Sequence, residues 1–217
     1  MIVVDTSAVI SLAVNCLCPI LELLDNEYAA SPHVFDEMIT RPSSSKRFAL
    51  ESMRIQRLFK DQVIKTYPVD ERRVDEFLMT ANRTYKVKNK PLKIIHKAEA
   101  EALILGQELD AQALLMDERT LRSLMESPRE LAKLLERRNK KKVRIDEKKL
   151  KKLIELTPDI PVIRSTEVLA VAYEKGILSG LMDIQDKQVL TAGLSALKLS
   201  GCSITWEEIE EYDRYII

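Results

Sequence analysis

A three-layer α/β/α sandwich around a mostly parallel central sheet is the fold this sequence predicts, and three observations predict it. Short apolar runs without polar alternation, Ile2 to Val4 and Ala113 to Met116, read as strands buried on both faces. Each of the two runs ends in an acid, Asp5 and Asp117. Such runs alternate along the chain with helical segments, the pattern of crossover connections in a parallel sheet.

The elements follow in order. After the first strand, Thr6 or Ser7 caps a helix over Ala8 to about Asn15, and Pro19 opens another turn toward Leu24. Tyr28 to Ser31 is a second strand, and Ser31-Pro32 begins a helix carrying Val34, Glu37 and Met38. Pro42 and Ser43-Ser44-Ser45 mark a loop. Helices are expected over roughly 46–60 and 69–84, with Val63-Ile64 between them as an edge strand. A polar linker with Lys86, Lys88, Asn89, Lys90 and Pro91 leads to a helix over about 95–109. The strand at 113–116 follows, then a helix from Glu118 that stops near Ser127-Pro128. Pro161 to Ile163 is the fourth strand, and helices near 165–175, 183–199 and 205–214 complete the chain. The reading is one domain over 1–217, with 127–159 as a basic helical-hairpin insertion and 160–217 supplying the last strand and helices.

Composition narrows the chemistry. The 217 residues are 46% hydrophobic, ordinary for a chain that buries a core. No run approaches the roughly 18 apolar residues of a membrane span, and no basic leader precedes the first strand, so a cytoplasmic protein is expected. Three cysteines, Cys16, Cys18 and Cys202, lack the second pair that a zinc site needs and read as small apolar fillers. With only two histidines, His33 and His96, catalytic triads and histidine-rich metal sites have almost no material. Acids remain.

In open parallel sheets reacting groups collect outside the carboxyl ends of the strands, where Asp5 and Asp117 both fall. A lone acid after a strand is often just a helix cap, but two at matching strand ends point to a shared site. At about 100° per residue, Glu99 shares a stripe with Ala102, Leu103 and Gly106 and is expected to face inward. Glu101, four residues after Lys97, reads as a solvated surface acid. An inward carboxylate is costly unless it is paired or ligates a metal.

These residues also carry a resemblance. Ile2-Val3-Val4-Asp5-Thr6-Ser7, Ser31-Pro32-His33-Val34-Phe35-Asp36-Glu37, Glu99-Ala100-Glu101-Ala102-Leu103 and Leu114-Leu115-Met116-Asp117-Glu118-Arg119 resemble the acidic motifs of PIN domains, a family that includes the VapC-type toxin ribonucleases of prokaryotes. The stretch from Ile160 to Ile177 resembles the continuation seen in one PIN subgroup, with Ala98 and Arg164-Ser165-Thr166 departing from its glycines. The resemblance implies a metal-dependent endoribonuclease with Asp5, Glu37, Glu99 and Asp117 as the catalytic and metal-binding acids. It implies that Ser7 supports them and that the product carries a 5′ phosphate. Asp36 is the alternative to Glu37 if the helix begins one residue differently.

Hard carboxylate oxygens suit Mg²⁺ or Mn²⁺, which keep several waters and accept phosphate oxygens. Arg119, two residues beyond Asp117, is placed to contact a phosphate. The expected partner is RNA, with DNA as a second nucleic acid, and an antitoxin-like or complex partner and a homodimer are the protein associations considered. No membrane partner is expected.

Formal charge is zero overall, yet residues 137–152 carry a net +8. A charge run of this kind usually marks a solvated helix face. The alternative takes the helix from Glu118 away from the acids, breaks it at Pro128 and returns some ~15 Å over 129–138. The turn Asn139-Lys140-Lys141-Lys142, with Arg144 beyond it, then holds the nucleic-acid backbone beside the acids. A catalytically weak fold that binds RNA or a protein partner is the competing reading. A haloacid-dehalogenase-like phosphatase is disfavoured because Ser7 stands where its second aspartate belongs.

Overall fold

The structure is a computed structural model that describes residues 1–43, 48–183 and 188–215. In chain order its elements are β1 (Ile2–Val4), α1 (Thr6–Val14), α2 (Pro19–Leu23), β2 (Tyr28–Ala30) and α3 (Pro32–Phe35). α3 widens into a π-helical turn over Asp36–Thr40 and continues as α4 (Arg41–Ser43). Next come α5 (Ala49–Lys60), β3 (Ile64–Thr66), α6 (Glu71–Thr84), β4 (Tyr85–Val87), β5 (Lys90–Pro91), α7 (Lys97–Glu108) and β6 (Ala113–Leu115). The remainder is α8 (Arg119–Glu126), α9 (Pro128–Asn139), β7 (Val143–Ile145), α10 (Glu147–Leu156), β8 (Val162–Ile163), α11 (Ser165–Glu174), α12 (Ile177–Met182), α13 (Gln188–Leu199) and α14 (Trp206–Tyr215).

The central sheet has five parallel strands in the order β3-β2-β1-β6-β8. Its register pairs Ile2 with both Tyr28 and Ala113, and Leu114 with Val162. Val3, Val4, Ala29, Ala30, Leu114 and Leu115 are buried, as strands covered on both faces must be. Because every strand runs the same way, Asp5, Ser31, Asp117 and Ser165 all follow strand ends at one edge. The chain therefore has the α/β sandwich that its sequence predicts.

α7 lies tight against this sheet. A Cβ at Gly106 would sit 2.6 Å from Leu114 Cδ2 and 3.2 Å from Ile160 Cδ1, so glycine is what lets the helix approach. Gly106 lies on the stripe to which helical phase assigns Glu99.

Local pattern missed the strands of a second sheet. Residues 86–91, expected as a polar linker, form β4 and β5 of a second, antiparallel sheet in the order β5-β4-β7. The pairing that makes β4 a strand comes from β7, more than fifty residues later, with Lys86 opposite Arg144 and Val87 opposite Val143. The turn 139–142 consequently leads into a strand before the second helix of that segment. The expected edge strand at Val63-Ile64 is found as β3 beside β2. Ser44, Ser45, the first residues of the helix expected at 46–60, and residues 184–187 of the one expected at 183–199 lie outside the described residues.

Candidate active site

Asp5 ends β1 in extended conformation (φ −97°, ψ 156°) and caps α1. Its Oδ2 accepts from the Ser7 hydroxyl at 2.5 Å and from Ser7 N–H at 3.1 Å. The same hydroxyl oxygen accepts Asp117 N–H at 3.1 Å, so Ser7 fastens the two strand ends together. Asp117 is 3% exposed, and its two carboxylate oxygens accept from Ser165 N–H (2.8 Å) and Ser165 Oγ–H (2.7 Å) at the start of α11.

Glu37 reaches the cluster from the π-helical turn. The Thr6 hydroxyl donates to its Oε2 at 3.1 Å, and Arg41 Nη1 lies 3.2 Å from Oε1. Asp36 instead pairs with Arg41 Nε at 2.8 Å. The charge of Glu37 acts on both Asp5 and Glu99. Of the two neighbouring acids, Glu37 is the one the fold presents to the site.

Glu99 sits in the first turn of α7, where its Oε2 accepts His96 N–H at 2.5 Å. Burial pushes its carboxyl up to about 8, and the negative charges of Asp5, Glu118 and Glu37 push the same way against the lowering by that hydrogen bond. Burial also raises Asp5, opposed by its bonds to Ser7. Two acids held above the usual carboxylate range at one sheet edge form a site short of positive charge.

Glu118 was not singled out from sequence. It caps α8, accepting Leu121 N–H at 2.7 Å, and its charge bears on Glu99. The signal was an acid placed directly beside Asp117, hidden by the ordinary reading of such a residue as a cap. Arg119 is exposed at the start of α8.

Glu101 corrects the sequence expectation. Far from solvated, it is 0% exposed, because α7 is packed on so many sides that residues 100–106 are all buried. Its Oε2 accepts His33 N–H at 3.0 Å, His33 Nδ1 lies 2.5 Å from Oε1, and Lys97 Nζ is 3.8 Å away. His33 is one turn before Glu37, so this pair ties the segment carrying Glu37 to the helix carrying Glu99. Glu101→Ala, which strips the partner from the part-buried His33 N–H and empties a buried site, is expected to lower the unfolding free energy by about 2–4 kcal/mol. Glu101→Gln, still able to accept that N–H, should retain most of it. Urea unfolding of the two variants checks both values.

The donor set fits a hard divalent cation in kind: carboxylate oxygens, partly buried, with Asp5 and Glu99 both held above the usual carboxylate range. As the side chains stand, no three acids, histidines or cysteines among the described residues are gathered closely enough to hold an ion.

The acids thus collect at the carboxyl edge of a parallel α/β sandwich. A family model described as a PIN domain matches residues 1–129, and the chain belongs to the PIN-domain family. No curated protein and no solved structure matches the chain. PIN domains are generally nucleases that use divalent metal ions and act on nucleic acids. Among the described residues no helix is long and apolar enough to cross a membrane.

Proposed function

We propose that the chain is a metal-dependent endoribonuclease in which Asp5, Glu37, Glu99 and Asp117, joined by Glu118, form the catalytic centre. The observation that carries this reading is the convergence of acids: Asp5, Glu37 and Glu118, from three separate segments of the chain, all raise Glu99 on a fourth, and Ser7 bonds Asp5 and Asp117 to one hydroxyl. Desolvated carboxylates are costly to a fold unless something compensates them. A divalent cation supplies that compensation, together with a bound water of lowered pKa and neutralisation of charge on the phosphate.

The chain's own residues then have distinct tasks. Ser7 holds Asp5 in one orientation through two hydrogen bonds to the same oxygen. Thr6 draws Glu37 toward β1. Ser165 aligns Asp117, and Glu101 with His33 sets the spacing between the segments bearing Glu37 and Glu99. The exposed Arg119, Lys140, Lys141, Lys142 and Arg144 supply positive charge for a polyanion that the acids alone would repel.

Incubation of a mixed RNA pool with Mn²⁺ should give cleavage by the wild type and a loss of at least about 100-fold in Asp5→Asn. Equal cleavage by both proteins would overturn the assignment. A second reading, a PIN fold that binds RNA without cutting it, is favoured by the engagement of both Asp117 oxygens with Ser165. It predicts RNA binding without cleavage by either protein.

A further inference from the structure

The second sheet brings together two basic loops that are fifty residues apart in sequence. β4 and β7 are antiparallel and pair Val87 with Val143, so the chain leaves the ladder at the same end on both sides. Lys88 and Asn89 form the turn there, with Lys90 opening β5 beside it, and Lys140, Lys141 and Lys142 lie in the other loop. One rung further in, Lys86 stands opposite Arg144, a like-charged pair that is ordinarily destabilising.

The backbone at these tips is unusual for the residues that occupy it. Lys88 (φ 48°), Asn89 (φ 64°) and Lys140 (φ 51°) are left-handed, a region where glycine or asparagine is the low-cost choice. Lysine occupies two of the three positions.

Three acids of this unit are already engaged. Asp146 pairs with Lys86 at 2.9 Å, Glu147 with Arg129 at 2.8 Å, and Glu136 accepts Val143 N–H at 2.9 Å. Glu76 of α6 meets Lys152 at 2.6 Å. Lys88, Lys90, Lys140, Lys141, Lys142 and Arg144 are exposed, and none forms an ion pair with a described carboxylate.

The unit emerges at the acid end of α7. Asn82, near the end of α6, accepts Ile94 N–H at 2.6 Å and Ile95 N–H at 3.1 Å, just before α7 and its first-turn Glu99. β4 follows α6 directly, which puts Lys88 within about 13 Å of Thr84 along the strand. Tyr85, the one aromatic side chain of β4, β5 and β7, is 0% exposed and gives its hydroxyl to Pro128 O at 2.5 Å. No aromatic platform is thus offered to bases by these strands, only charge to phosphates.

We propose that the β4–β5 loop and the 140–142 turn act as one clamp on the sugar-phosphate backbone of RNA, independent of base identity, beside the acidic edge. The clamp rests on the ribonuclease reading for the identity of its ligand. It extends the basic segment read from sequence by a second arm, Lys88 and Lys90, that only the strand register reveals.

The test is fluorescence anisotropy of the full chain with labelled short poly-U and poly-A RNAs in EDTA, which removes any cleavage. Both RNAs should bind with affinities within about threefold of each other, since only phosphates are read. Lys88→Glu with Lys90→Glu should weaken binding at low salt by at least about 10-fold, as should charge reversal at 140–142. The slope of log K against log salt should fall by about 0.7 for each phosphate no longer neutralised. Lys88→Ala with Lys90→Ala serves as the milder variant, and unchanged melting temperatures establish that the fold is intact. Wild-type affinity in both the Glu and Ala pairs at positions 88 and 90, or strong preference for one homopolymer, would overturn the clamp. If the wild type binds as expected but fails to cut RNA in Mn²⁺, the ribonuclease reading fails while the clamp stands.

Discussion

Glu99→Gln is expected to make the metal-free protein more stable at pH 8 while lowering Mn²⁺-dependent RNA cleavage by at least about 100-fold. The Glu99 carboxyl is pushed up to about 8 in the fold, chiefly by burial, from an ordinary value of 4.5. Between those two values the folded state holds a proton that the unfolded state has released. Stability is therefore fully favoured below about pH 4.5 and declines as pH rises toward 8. Burial raises Asp5 as well, which adds a decline of the same sign above its own ordinary value. Glutamine is neutral throughout, nearly isosteric, and still accepts His96 N–H, so it removes the decline without removing the cap. A gain of about 2–6 °C in melting temperature at pH 8, shrinking at pH 5, is the expected scale for a chain of this length. Added Mn²⁺ should reverse the order, stabilising the wild type more than the variant. Thermal melts at the two pH values, with and without Mn²⁺, measure all of this.

Asp117 invites a contrasting pair. Asp117→Asn can keep both bonds to Ser165, because the amide oxygen accepts the N–H while the Ser165 hydroxyl turns to accept from the amide nitrogen. Its melting temperature should stay within about 3 °C of wild type. Asp117→Ala leaves Ser165 N–H and Oγ–H without partners in a buried place, a cost of about 2–4 kcal/mol and a drop of roughly 5–12 °C. Cleavage should fall about 10-fold or more in the asparagine variant, because its charge is lost from the set even though its shape is kept. Undiminished cleavage by Asp117→Asn would reduce Asp117 to a fastener between β6 and α11 and leave Glu118 as the fourth acid.

Much of the site's frame is legible in the residues alone. β1 and β6 are apolar on both faces and end in acids, so the edge where Asp5 and Asp117 meet follows from strand direction. Ser31-Pro32 starts α3 as expected, with Ser31 Oγ accepting Val34 N–H at 3.3 Å. Other features depend on partners distant in sequence. Glu101 looks solvated because helical phase assumes one wet face, whereas α7 is enclosed by the sheet, α3 and α6. β4 and β5 look like a linker because two- and three-residue strands carry no usable alternation, and their ladder comes from β7. The choice between Asp36 and Glu37 turns on a π-helical turn, which no residue pattern announces. Glu118 is masked by doing a cap's ordinary work while its charge acts on Glu99.

The acids at this edge are short of a cation. Calorimetric titration of Mn²⁺ into the metal-free wild type at pH 7, in two buffers of different ionisation heat, tests it most directly. Because Glu99 holds its proton at that pH, binding should release close to one proton per chain, seen as a heat that changes with the buffer. In Glu99→Gln that buffer dependence should be largely lost. Absence of Mn²⁺ binding, or binding by the wild type with no proton released, would contradict it.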